Sequence, residues 1–237
     1  MTASILALGL VAGVLTTLAG AGGGVLLVVS LSLLLGPHIA LAATAPTLLV
    51  GNAHRLSLYR DRVDRSVALR VIAGALPGSL LGGALAVSIP TGALRALFAV
   101  VAAFAIARTL GALVWNPPRR LLAPVGALMG GVSATSGGAG LLLSPLLLST
   151  GLTGEAYIAT SAAVALTTHM GRLVGYGARG LLSREVLAYA GIATVAVVAG
   201  NLLGDKLRPF LDKPKIILLE NGTLAVCAAL AAAGLAH

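Results

Sequence analysis

Two arginines stand in apolar sequence where a charge is costly. Arg55 and Arg172 each lie near the end of a predicted helix, and each is followed four residues later by a tyrosine, Tyr59 or Tyr176. One turn earlier, deeper in the same helices, stand Asn52 and His169. A guanidinium grips an oxyanion through two parallel N–H bonds and keeps its charge in any plausible environment. The pattern therefore suits a small oxyanion, although a position near helix ends favours snorkelling to the headgroups instead. Asn52 and His169 are candidate polar contacts, and His169 could also carry a proton. An interhelical hydrogen bond would account for both equally well. Thr44, Thr160 and Ser161 add hydroxyl donors, whose competing use is a bond back to their own helix.

A second source of donors is the backbone. Gly20, Gly22, Gly23 and Gly24 fall inside a run that carries no formal charge before Arg55. Glycine in a helix interior costs about 1 kcal/mol relative to alanine, so four in so short a space should break a helix. In lipid, bare backbone survives only where protein buries it or where it lines a cavity. A half-helix starting after such a break presents unpaired amides and the positive end of its dipole, which suits an anion. Gly137, Gly138 and Gly140 repeat the arrangement. Close helix packing is the competing account of glycine, and it explains Gly78 with Gly82, or Gly200 with Gly204, better than it explains three glycines in succession.

Other chemistries find no residues. No metal-ligand spacing, nucleophile triad or nucleotide-binding phosphate loop is present, so no cofactor and no enzyme activity are expected. Most acidic residues fall at predicted loop edges; Glu220 lies more than a turn inside the last helix, near Lys215, as a candidate proton site. The single cysteine, Cys227, excludes an intrachain disulfide.

The elements that must position these groups are membrane helices. Of 237 residues, 58% are hydrophobic and 10% charged, with a mean hydropathy of +1.01. A soluble domain carries about 25% charged residues. Uncharged stretches such as Val71–Leu94 and Leu121–Gly154 are near or above the ~20 residues that cross a bilayer. The fold class is all-α polytopic, multi-pass in the cell's inner membrane. The net charge of +9 reads as basic loops that set orientation, with no nucleic-acid partner expected, because aromatics are only 3%. Trp115 is the clearest interfacial anchor.

The chain also repeats itself. Gly20–Val29 has a counterpart in Ser136–Pro145, Ala43–Ala45 in Ala159–Ser161, Arg55–Tyr59 in Arg172–Tyr176, and Gly78–Gly82 in Gly200–Gly204. Two units follow, residues 1–116 and 117–237, linked at Pro117-Pro118. Each holds a glycine-broken segment and three ordinary helices: Ser4–Leu35, Ile39–Leu58, Ser66–Val87 and Gly92–Val114, then Leu122–Thr150, Glu155–Tyr176, Arg184–Gly204 and Pro214–Leu235. If the broken segments span the membrane, the units are parallel and the loop cations divide nine against five. If they re-enter, the units are inverted and the division is eleven against three, with only Arg95, Arg179 and Arg184 outside. The charge balance favours inversion.

These motifs resemble the TauE/SafE family of sulfite exporters: a Gly-x-Gly-Gly-Gly run, an apolar stretch, an Ala-Thr-Ser-like element, and the same series again. The resemblance covers essentially the whole chain. It departs at Val29, where the family usually has proline, although Pro145 is present in the second copy, and in the degenerate run Gly137-Gly-Ala-Gly140. The resemblance implies a secondary transporter, exporting small sulfur-containing anions such as sulfite or organosulfonates. The two glycine-rich termini would bind the anion near the midplane. An anion channel, or an uptake carrier for another small organic anion, remains the alternative. The partners expected are the anion and the bilayer, and a homodimer is compatible with the sequence.

Overall fold

A computed structural model describes residues 1–19, 22–109, 117–137 and 139–235. Among them there is no strand. Ten α-helices follow in order: α1 (Thr2–Ala19), α2 (Gly23–Leu35), α3 (Pro37–Leu58), α4 (Arg65–Ala86), α5 (Thr91–Thr109), α6 (Leu122–Ser136), α7 (Ala139–Leu148), α8 (Gly154–Ala178), α9 (Arg184–Leu207) and α10 (Lys213–Leu235). The protein is an all-α polytopic membrane protein. Helices α1, α4, α9 and α10 are long and apolar enough to cross a bilayer. Helices α3 and α8, at 22 and 25 residues, are also long enough. They hold the polar residues, which they bury inside the bundle.

Helix ends follow local chemistry. The Asp64 side chain caps α4 by accepting from the Val67 amide at 3.0 Å, and Ser183 does the same for α9 through Val186. Gly36, at φ 85°, is the single residue between α2 and α3 and turns the chain back on itself. Pro46, Pro77 and Pro145 lie inside helices, as membrane bundles tolerate. Each predicted glycine-broken segment is thus two helices, α1–α2 and α6–α7.

Contact positions give the helix directions. Along α1 and α9, Gly9 meets Ala196, Gly13 meets Gly200 and Thr17 meets Asn201, so the pair is parallel. Along α4 and α6, Gly74 meets Ala123, Gly78 meets Ala127 and Gly82 meets Gly131, again parallel. Helices α3 and α9 run parallel through Thr47–Ala190 and Tyr59–Asp205, and α4 and α8 through Asp64–Thr160 and Gly83–Gly175. At the centre α3 and α8 are antiparallel, because Arg172 reaches Leu41 while Tyr157 is an electrostatic neighbour of Arg55. Helices α1, α3 and α9 therefore point one way, and α4, α6 and α8 the other. Helix α2 folds back along α1, with Gly23 against Ala12 and Thr16. The main row is α6–α4–α8–α3–α9–α1, with α2, α5, α7 and α10 packed across it.

Glycine sets how closely this row packs. A Cβ on Gly200 would stand 2.2 Å from the Leu10 carbonyl oxygen, and one on Gly78 would stand 2.1 Å from that of Ala127. Neither distance is possible for a real side chain, so both helix pairs depend on backbone-to-backbone approach.

Candidate functional site

The first glycine break forms the end of a hairpin. Gly22 sits at φ 94° and, having no side chain, offers no cap to α2, which starts at Gly23. Gly23 has no room for any side chain, since a Cβ would lie 2.2 Å from the Ala12 carbonyl oxygen. Gly24 is less confined: the nearest atom to a Cβ is the flexible tip of Leu48, at 3.2 Å. The second break begins at Gly137, a left-handed residue that ends α6. A Cβ there would stand 2.6 Å from the Val28 side chain. Val28 lies six residues beyond Gly22, about 9 Å along α2, so the two breaks are near neighbours. Gly140 lies in the first turn of α7. Gly20, Gly138 and the proposed anchor Trp115 lie outside the described residues.

The arginines do not snorkel. Arg55 is 2% exposed and Arg172 0%. Helices α3 and α8 face each other at the centre of the row, so side chains on their shared face have no path to the headgroups. Arg55 donates to the Thr16 carbonyl at 2.7 Å and to the Asn52 side-chain oxygen at 2.7 Å. Thr16 stands in the last turn of α1, where a helix carries unpaired carbonyls and partial negative charge. One contact of Arg55 thus holds the end of the broken helix.

Arg172 donates through Nε to the Tyr176 hydroxyl at 3.2 Å, through Nη1 to His169 Nδ1 at 3.0 Å, and through Nη2 to the Leu41 carbonyl at 3.2 Å and Thr44 Oγ1 at 3.4 Å. Because a guanidinium only donates, His169 Nδ1 must accept, and any ring hydrogen is on Nε2. Tyr176 in turn donates to the Ala134 carbonyl near the end of α6. Every one of these partners is neutral. Thr44 lies eleven residues before Arg55 on α3, and His169 is an electrostatic neighbour of both arginines, so the two guanidinium groups stand at successive levels of one polar core.

The hydroxyls divide. Thr44 donates to the Ala40 carbonyl at 2.8 Å and receives Arg172, so it combines a helical back-bond with the buried cation. Thr160 accepts from the Asp64 amide at 3.0 Å and anchors the start of α4. Ser161 is buried, 3% exposed. Asn52 bonds to the Leu48 carbonyl as well as to Arg55. The Glu220 side chain lies outside the described residues, and Lys215 pairs with Asp212 at 3.6 Å. No cluster that could hold a metal ion occurs among the described residues.

Two features were missed by sequence reasoning. The Ser30 hydroxyl in α2 is buried and finds no partner among the described residues. Asn201 of α9 receives Thr17 of α1 at 3.1 Å and donates to the Gly51 carbonyl of α3 at 2.9 Å, tying three helices together. Its place in the Gly200–Gly204 motif was the available signal.

The profile of the family described as Sulfite exporter TauE/SafE matches residues 5–233. The chain belongs to the TauE/SafE family. It is therefore a membrane permease that handles a small anion within a lipid bilayer, and not an enzyme. Neither the curated proteins nor the solved structures contain a match to it. In this TauE/SafE member Arg55, Asn52, Arg172, His169 and Thr44 line the buried α3–α8 core, and Arg55 also holds the end of α1 beside Gly23. Thr160 turns to α4 instead.

Proposed function

We propose that this TauE/SafE protein is a secondary carrier that exports small sulfur oxyanions or organosulfonates across the inner membrane. The observation that carries the reading is Arg172: a fully buried guanidinium whose partners are all neutral leaves positive potential inside the bundle. A buried charge is costly without an opposite charge, and an arriving anion supplies it. The amides opening α2, beside Leu48 one turn from Thr44 on α3, would add donors. Opposed helix directions in corresponding elements of residues 1–116 and 117–237 support two inverted repeats. Rocking between them would expose the site to each side in turn. A negative-inside potential by itself drives an anion outward.

Proteoliposomes test this. Sulfite efflux should fall at least tenfold in Arg172→Gln and in Thr44→Val, while both proteins insert and purify normally. Undiminished flux in both variants would overturn the site. Gly23→Leu is a poor probe, because Gly23 has no space for a Cβ and the hairpin itself would be displaced.

A further inference from the structure

Outside the buried core, the basic residues at one end of the molecule are not evenly spread. Arg70 of α4 converges with Arg119 and Arg120, which form the short 3-10 turn before α6, around a pocket of about 410 Å³ floored by Ala123. All three arginines are exposed, and none joins an ion pair found among the described residues. Setting membrane orientation requires only a count of positive charges on one side. It does not require side chains from segments some fifty residues apart to surround one pocket.

An apolar groove lies farther along the same helix pair. Between α4 and α6, Pro77, Gly78, Leu81, Ala127 and Leu128 line a groove of about 480 Å³ with almost entirely apolar walls. Arg70, Ala73, Pro77 and Leu81 recur at intervals of three or four residues, so they share one stripe of α4. Pro77 lies about 10 Å below Arg70. The uncharged stretch Val71–Leu94 begins immediately after Arg70, which sets that arginine at the interface and the groove beneath it. One leaflet of hydrocarbon is about 15 Å deep, so an acyl chain held at the arginines reaches the groove's upper half. Helix α6 ends the main row, and the groove therefore faces lipid.

We propose that this pocket and groove form a binding site for one anionic glycerophospholipid. Its phosphate is held by Arg70, Arg119 and Arg120, and one acyl chain enters the α4–α6 groove. Charge complementarity selects the headgroup, and depth matches the chain. The site is separate from the buried core and stands whether or not sulfite is the cargo.

Native mass spectrometry of the detergent-purified full chain tests the proposal by titration with phosphatidylglycerol, phosphatidylcholine and inorganic phosphate. Phosphatidylglycerol should bind at least ~10-fold more tightly than phosphatidylcholine, and Arg70→Gln/Arg119→Gln/Arg120→Gln should abolish that preference. Leu81→Trp, which narrows the groove and leaves the charge alone, should weaken phosphatidylglycerol severalfold. Equal binding of the two lipids by the native protein would overturn the proposal, as would a preference that survives the triple change. Inorganic phosphate displacing phosphatidylglycerol at comparable concentration would make this a free-anion site and overturn the lipid assignment. The wild-type comparison requires no variant to fold.

Discussion

At the scale of the residue, the decisive fact is that the two arginines are buried and differently employed. Arg55 holds the carbonyl end of α1, whereas Arg172 gathers two side chains of its own helix and two groups of α3. Arg172→Lys tests the fork against the charge. Lysine keeps the positive charge but cannot meet four acceptors in fixed geometry, so sulfite affinity by thermal shift should fall about tenfold or more. His169 cannot accept from Arg172 and carry a proton on Nδ1 together, which argues against its acting as a proton carrier while that bond is intact. Asn201→Ala makes a stability prediction at the same scale. It removes the link from α1 through α9 to α3 and should cost about 1–2 kcal/mol, read as a lower melting temperature in detergent.

At the scale of the element, broken helices and close-packed pairs divide the glycines by function. Gly22 and Gly137 adopt backbone angles that end or begin a helix, while Gly78 and Gly200 admit a neighbour's carbonyl. Helix α9 contains an internal comparison. Gly191→Ala meets nothing within 4 Å and should stabilise the helix by up to about 1 kcal/mol. Gly200→Ala would press a Cβ into the Leu10 carbonyl and should destabilise by about 2 kcal/mol or more. Thermal unfolding of the two variants should shift in opposite directions. Equal shifts would mean that α1 and α9 do not pack through backbone contact.

At the scale of the molecule, helix directions and loop charges agree. The ends where α3 and α9 finish and α4, α6, α8 and α10 begin carry Arg60, Arg62, Arg65, Arg119, Arg120, Lys206, Arg208 and Lys215. The opposite ends carry Arg95, Arg179 and Arg184, with Arg179 bonded to Ser88 at 3.1 Å. The basic end should face the cytoplasm. In a Cys227→Ala background, Arg179→Cys should react with an impermeant maleimide added outside intact cells, and Thr153→Cys should not. The reverse result for both would mean that the molecule is inserted the other way round. Reaction of neither or both would contradict opposed ends for these two loops.

The sequence by itself determined the membrane class, the helix breaks at glycine and the family, and it singled out Thr44, Asn52, Arg55, His169 and Arg172 as candidates. These depend on local quantities: charge-free length, the poor helix propensity of glycine, and motifs that recur in order. Tertiary structure alone decided that Arg55 and Arg172 are buried, that Thr160 serves α4, and that Gly23 is sealed against Ala12. Those outcomes depend on which helix lies across from each residue. An arginine one turn from a helix end reaches the headgroups if lipid faces it, and only the packing of α3 against α8 replaces that lipid with protein.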